Sequence, residues 1–456
     1  MKRKFIPSKK PDKETKQQNE KSKKSDNISS SVKVEISSRK ALIERFGIDR
    51  VSYSVVAILI FLSGIYFGVK YLPADQEGKI TFTYKEGPTI KRAGNLNKRS
   101  TTASFPDPED FFPAAEFRKQ GAILIGCQNK LNTFSQLYVD IARAIGGKVP
   151  LLGVVPSEMQ AHEGAEIMRQ NGLPADAMRF IVMPSNSIWI RDYAPFVLRY
   201  DHERALLIDA KYQTRTERER RKQDDFFSME LAHKLDLPVR SIPLILEGGN
   251  LLSNGDGLIL TTGKTLAVNK QQSQWTENQL MPMFNDYMGA HGVYSFAPLV
   301  DEPNGHIDMF VTLVAKNIAI VGQVSPGIDP ESSRYLDETA NMLTTLNTTV
   351  GPIRVKRIPM PPKWGSDWRS YTNVIMANKV LLMPSFSDVD PAIENQAEAV
   401  YRSVLPSDWS IKRINCDKLV LLHGQLHCIS YNIPAFVDID NLLSHAIPQI
   451  LEEGED

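Results

Sequence analysis

The side chains in this sequence best suited to chemistry are Cys428, His306 and three carboxylates, Asp192, Glu247 and Asp308. His306 and Asp308 lie two positions apart in Asn304-Gly305-His306-Ile307-Asp308, just ahead of the apolar run from Met309 to Val314. Taken as the start of a strand, this stretch puts the imidazole and the carboxylate on one face. Such a pair does chemistry only if a nucleophile or a cation meets it from elsewhere in the fold. Cys428 can be the nucleophile, and Asp192 and Glu247 can help to hold a cation. Several carboxylates in one pocket repel one another unless a positive charge sits among them. A guanidinium is the best geometric match, being planar, fork-shaped and suited to bidentate carboxylate contacts. Its central carbon is electrophilic but stabilised by resonance, so water attacks it poorly, whereas a thiolate can attack it.

If the five groups converge, each has a part. Cys428 attacks the guanidinium carbon while Asp192 and Asp308 hold the cation. His306 protonates the departing ammonia and then activates a water against the covalent thiouronium intermediate. Glu247 orients and charges the imidazole. A substrate cation beside the thiol lowers its pKa, which removes the need for a permanent base. A thiol protease built on Cys428, His306 and Asp308 is a different reading, but it leaves the extra acidic residues without a use.

Bringing residues so far apart together requires a particular arrangement of elements, and the sequence carries a repeat that supplies one. Four hairpins are expected: Pro195–Tyr200 with Ala205–Ile208, Leu258–Thr262 with Thr265–Val268, Met309–Ala315 with Ile318–Val321, and Val374–Met376 with Val380–Met383. Helices are expected over Glu331–Leu346 and Ala392–Val404. A short polar cluster precedes each hairpin. These are Trp189-Ile190-Arg191-Asp192, Glu247-Gly248-Gly249-Asn250, Gly305-His306-Ile307-Asp308 and Ser370-Tyr371-Thr372-Asn373. A fifth cluster, His427-Cys428, precedes Ile429–Ile433, which has no second strand after it. From Asp192 through Glu247, His306 and Asn373 to Cys428 the steps are 55, 59, 67 and 55 positions. The missing partner strand can be Gly121–Gly126, whose pairing with the carboxy-terminal segment would close the ring and leave no open edge. The expected fold is therefore α/β, with five modules each delivering one polar cluster to a common axis.

Together, WIRDYAP, EGGN, NGHID, SYTN and the terminal HC pair resemble the motifs of the Porphyromonas-type peptidyl-arginine deiminase and agmatine deiminase family. Phe112-Pro113-Ala114-Ala115-Glu116-Phe117 is similar to that family's opening segment. The resemblance covers about residues 105–440 and implies a five-bladed α/β propeller of the pentein type. It also implies Cys428 as nucleophile, His306 as general acid and base, Asp192 and Asp308 as guanidinium clamps, and Glu247 as a supporting carboxylate. Trp189 and Asn373 are further expected substrate contacts. Where the family commonly has a glycine run before the HC pair, this chain has His423-Gly424-Gln425-Leu426, which implies a differently shaped loop. His427 is expected to be structural, pointing away from Cys428 on an extended strand. Arg215 and Arg218 belong to a cluster with Arg220 and Arg221 in which Glu217 and Glu219 alternate, a pattern typical of a solvated face. The alternative role for Arg215 or Arg218 is to bind a substrate carboxylate. Peptidyl-arginine is the expected substrate, with agmatine as an alternative and a catalytically inactive binding module of the same fold as another.

Composition sets the remaining bounds. The 456 residues are 42% apolar and 23% charged with a net charge of +1, which allows a large globular core and gives no sign of a nucleic acid partner. Three cysteines without CxxC spacing indicate neither a disulfide scaffold nor a zinc ribbon, and no metal or cofactor is called for. Residues 1–50 read as a basic disordered arm, 51–69 as a transmembrane helix, 70–104 as a linker, and 105–456 as the catalytic domain. The run from Val51 to Val69 carries no formal charge and is long enough to span a bilayer. Five Lys and Arg in residues 31–50 against three in 70–89 favour a cytoplasmic amino terminus and an exported catalytic domain.

Overall fold

The computed structural model describes residues 112–200, 204–212 and 221–448, together with the backbone of three short strands nearer the amino terminus. Those strands, Val34–Glu35, Lys70–Tyr71 and Thr81–Thr83, form a small antiparallel sheet with Thr81–Thr83 in the middle. They belong to the first of two compact units, residues 1–103, and everything below concerns the second, residues 104–456. No helix among the described residues is long and apolar enough to cross a membrane, and the run 51–69 lies outside them.

Among the described residues of the second unit, five sheets repeat one plan: a hairpin, one or two helices, then a third strand parallel to the hairpin's second strand. In the first, Phe196–Tyr200 pairs with Arg204–Lys211, helix Lys222–Leu235 crosses over, and Val239–Ile245 returns. The third joins Val311–Ala315, Ile318–Gln323, helix Pro330–Thr344 and Arg354–Pro359. The fourth joins Ile375–Ala377, Val380–Ser385, helix Pro391–Arg402 and Ser410–Asn415. In the fifth the hairpin is made from the two ends of the unit. Ser430–Pro434 runs antiparallel to Gln120–Gly126, with Ser430 opposite Ile125 and Ile433 opposite Ala122, and Leu151–Val155 and Arg179–Val182 extend the sheet.

The second sheet departs from the expected hairpin. Leu258–Thr262 pairs backwards with Leu252–Ser253, and the segment read as its return strand, Thr265–Val268, lies inside helix Gly263–Ser273. Thr262 is the reason: its hydroxyl accepts the amide hydrogen of Lys264, an N-cap bond that starts a helix where the apolar letters Leu266 and Val268 suggested a strand. The other helices start as their sequences dictate. Asp329 and Asp390 cap helices whose first residues are Pro330 and Pro391, and Ser157 caps Glu158–Gln170.

Leu151–Val155 and Leu258–Thr262 are buried at every position, so both faces are covered and neither shows polar alternation. Helices cover these faces through Tyr138, Phe227, Phe284 and Tyr401, all fully buried, each of which stabilises the fold by about 1.5–3 kcal/mol relative to exposure. Rigid sheets of this kind fix where their leading segments end, and those segments hold the polar clusters.

Candidate active site

Four of the five clusters are tight turns and the other, Ser370-Tyr371-Thr372-Asn373, is a bend; none is a strand end. Asp192 lies in the one-turn helix Ile190–Tyr193, and Glu247 directly precedes the 3-10 turn Gly248–Asn250. His306 caps, and Asp308 lies within, the 3-10 turn Ile307–Met309, which corrects the expectation of a strand. Polar side chains impose this turn. Glu302 accepts the backbone N–H of His306 at 3.0 Å, and Asn250 Oδ1 accepts that of Ile307 at 3.1 Å. Asn250 is itself held by Thr262 and Thr265, so the second sheet positions the turn that opens the third.

The structure brings Asp192, Glu247, His306, Asp308, Asn373 and Cys428 together. His306 Nε2 is 2.8 Å from Glu247 Oε2, and its Nδ1 is 3.7 Å from Asp192 Oδ1. Gly249 makes the convergence possible: a Cβ there would stand 2.6 Å from His306 Nδ1, 2.8 Å from Asp192 Oδ1 and 3.0 Å from Asp308 Oδ2. Its N–H also donates to Asp192 Oδ1 at 3.3 Å. Burial by itself pulls the His306 pKa down, but Asp192, Glu247 and Asp308 outweigh it and raise it to about 10, so the ring is charged at neutral pH. Burial raises Asp192, the His306 charge opposes it, and repulsion from Glu247 and Asp308 helps to leave it at about 6. Burial also acts to raise Glu247, yet His306 and Lys264 hold it at about 2.

Cys428 lies in the turn ahead of Ser430–Pro434, 5% exposed. Asn373 Nδ2 is 3.4 Å from its Sγ, while Asn373 Oδ1 accepts the backbone N–H of His427 at 2.9 Å. Asp308 Oδ2 lies 4.0 Å from the sulfur. Burial, with Asp308 and Asp192 adding to it, pushes the thiol well above its ordinary pKa, so the thiol is neutral at neutral pH. Where the family's glycine run is altered, the loop is tied down: Gln425 accepts from Ser370 N at 3.0 Å and donates to Trp368 O at 2.8 Å. Gly424 lies against the half-buried Trp189, leaving no room for a side chain, with a Cβ falling 2.4 Å from the indole.

His427 does not point away from the site. Because residues 426–429 form a turn rather than extended chain, its Nδ1 reaches Asp308 Oδ2 at 2.8 Å and its Nε2 reaches Glu116 Oε2 at 2.9 Å. Glu116 in turn pairs with Arg191, whose Nη2 donates to Asn432 Oδ1 at 3.0 Å. Lys264 Nζ sits 3.3 Å from the same Glu247 oxygen that meets His306. Reasoning from sequence missed the contributions of Glu116, Lys264 and His427. Glu116 was visible only as part of an opening segment, and Lys264 was hidden in a supposed hairpin turn.

The five groups meet deep in the fold, as the sequence led one to expect: His306 and Asp308 are 2% and 1% exposed. One buried acceptor nevertheless lacks a partner, Asp308 Oδ1, directed by a carboxylate whose other oxygen is fully engaged. A separate cavity is lined by Glu116, Gln120, Arg191, Thr312 and Asn432 and touches none of the five reactive residues. Arg215 and Arg218 lie outside the described residues. Among the described residues no cluster of three or more His, Cys, Asp and Glu side chains is arranged to hold a metal ion.

Comparison with known proteins finds related sequences and structures. The family described as Porphyromonas-type peptidyl-arginine deiminase matches residues 114–434. A Yersinia pestis protein provisionally named agmatine deiminase is 22% identical over 370 residues, covering 72% of this chain and 97% of the relative. The agmatine deiminase of Enterococcus faecalis superposes with a TM-score of 0.61 at 19% identity, covering 73% of this chain and 98% of that one. That of C. jejuni gives 0.60 at 18% identity, with 70% and 95% covered. With its motifs in order, its clusters converged and the family match spanning most of the second unit, the chain belongs to the Porphyromonas-type peptidyl-arginine deiminase family of hydrolases acting on C–N bonds.

Proposed function

We propose that this chain hydrolyses the guanidinium of an arginine residue in a peptide to a ureido group, releasing ammonia, through a covalent intermediate on Cys428. The observation that carries the reading is the convergence of a thiol, a charged imidazole and three carboxylates, one of which, Asp308, keeps a buried oxygen, Oδ1, without a partner. A guanidinium supplies the missing donors and the missing positive charge. Its entry lowers the pKa of the Cys428 thiol, whose proton passes to solvent, and the thiolate adds to the guanidinium carbon. His306, already protonated, gives its proton to the leaving nitrogen as the C–N bond breaks. The neutral ring then takes a proton from water, whose oxygen attacks the thiouronium carbon, and as the C–S bond breaks the remaining hydroxyl proton passes to the departing sulfur, releasing the ureido product and restoring the thiol. The five sheets, on this reading, stand as blades around the axis where their clusters meet.

Agmatine is the second reading. The named deiminases among the relatives favour it, as does the closed site, which suits a small linear cation. Incubating the protein with a blocked arginine peptide and with agmatine, and measuring ammonia and ureido product, tests both. No product from either would reject the hydrolytic reading.

The uncharged run 51–69 supports a membrane anchor in addition. A span there would put residues 34–35 and 81–83 on opposite sides of the bilayer, which excludes their pairing in the same molecule. Two paired positions contribute only about 1 kcal/mol per hydrogen bond. The eleven Val, Ile, Leu and Phe residues of the run each favour insertion by roughly 0.3–0.6 kcal/mol, so the span outweighs the pairing.

A further inference from the structure

We propose that Glu116 and His427 are positioning residues for Asp308, holding its carboxylate so that Oδ1 is the oxygen presented to the substrate cation. This inference rests on the guanidino reading above. Asp308 Oδ2 accepts from His427 Nδ1 at 2.8 Å, and the same ring's other nitrogen donates to Glu116 Oε2 at 2.9 Å. A ring hydrogen-bonded to a carboxylate at both nitrogens is satisfied only as the doubly protonated cation, because a neutral imidazole has a single N–H. Three separate segments build the arrangement. Glu116 comes from the chain just after Phe112–Pro113, Asp308 from the turn opening the third sheet, and His427 from the turn opening the fifth. Oδ1 is left buried and without a partner, the state expected of an atom kept for a ligand.

Charged and titratable groups around His427 fix the direction of the effect. Arg191, whose Nε donates to the His427 backbone oxygen at 3.3 Å, disfavours the charged ring, and so does burial. Glu116 and Asp308 favour it, and the balance lies above the ordinary imidazole pKa. Cys428, the remaining titratable neighbour, is a neutral thiol before substrate binds. Glu116 therefore acts on the substrate through two other side chains: its charge keeps His427 protonated, and protonated His427 keeps Asp308 turned.

The two ring nitrogens can be replaced one at a time. An Asn amide nitrogen stands near where Nδ1 stood, and a Gln amide nitrogen near where Nε2 stood. His427→Asn keeps a donor for Asp308 and loses the Glu116 bond, whereas His427→Gln does the reverse. If the ring serves Asp308, His427→Gln raises KM for the guanidino substrate by about tenfold or more, with a smaller change in kcat, and His427→Asn raises it less. A ring that merely braces the fold through Glu116 gives the opposite order, and that order overturns the proposal. Glu116→Gln keeps an acceptor for Nε2 but removes the charge. His427 then loses its proton at a lower pH, and the alkaline limb of kcat/KM moves down from its wild-type position. An unmoved alkaline limb in active Glu116→Gln enzyme also overturns it. Melting temperatures are recorded for all three variants. Should the His427 pair not fold, the pH profile of Glu116→Gln decides, and should Glu116→Gln not fold, the order within the His427 pair decides. Inactivity of the wild type rejects the guanidino reading instead, so the two failures are distinguishable.

Discussion

Cys428→Ser is expected to lower turnover by more than about a thousandfold while leaving binding of a guanidino ligand nearly unchanged, since the hydroxyl is a far weaker nucleophile and the carboxylates remain. Steady-state rates and ligand titration separate the two quantities, and wild-type turnover in the serine variant would reject the nucleophile. Asp192 gives the acidic side of the pH profile. With a pKa near 6 in the empty enzyme, it takes up a proton as pH falls through 6, loses its charge, and ceases to attract the cation. The kcat/KM profile, which reports the free enzyme, should therefore fall below about pH 6, and Asp192→Asn should lower kcat/KM and flatten that limb. The side chains that converge were legible from the sequence because a thiol, an imidazole and spare carboxylates have few joint uses. His427 was misjudged because its direction depends on a backbone turn that the letters Leu426 to Ile429 do not announce. Glu116 and Lys264 acquire their roles only through distance in space, 311 positions separating Glu116 from His427.

Short turns, rather than strands, carry the converging side chains, and Gly249 shows how little slack they have. Gly249→Ala would drive a methyl group against His306 and Asp192, displacing the imidazole from Glu247. The expected result is a loss of about a hundredfold or more in kcat/KM, while overpacking of this kind costs about 1–3 kcal/mol and shifts the melting temperature by only several degrees. Activity retained at wild-type level would mean that the turn relaxes freely. Three of the four expected hairpins and both expected helices were legible because strand alternation, turn residues and the Asp-Pro starts at 329–330 and 390–391 agree with one another. In the second sheet the local letters conflicted: Thr-Leu-Ala-Val has strand character, and only the capping hydroxyl of Thr262, with Asn269 bonded to Ile245, turns it into helix. Such an outcome is decided by tertiary partners and cannot be read from a window of eight residues.

At the scale of the whole molecule, the repeat of polar clusters at near-equal spacing foretold that distant segments would meet. The alternation of hairpin and crossover foretold α/β architecture. The full-length protein is expected to sediment with membranes and to resist carbonate washing, whereas a chain starting at residue 105 should stay in the supernatant; full-length protein in the supernatant would remove the anchor at 51–69. The join between Gln120–Gly126 and Ser430–Pro434 has a further consequence, for the order of events during synthesis. The ribosome releases Gln120–Gly126 early, but the strand that covers its edge comes more than 300 positions later, immediately behind Cys428. Until then the nascent chain has an uncovered, almost wholly apolar edge that invites pairing with other chains, and it has no thiol at position 428 with which to react. One event therefore closes the sheet and completes the buried cluster, so a truncated product of interrupted translation is both prone to aggregate and without the thiol that the proposed reaction needs.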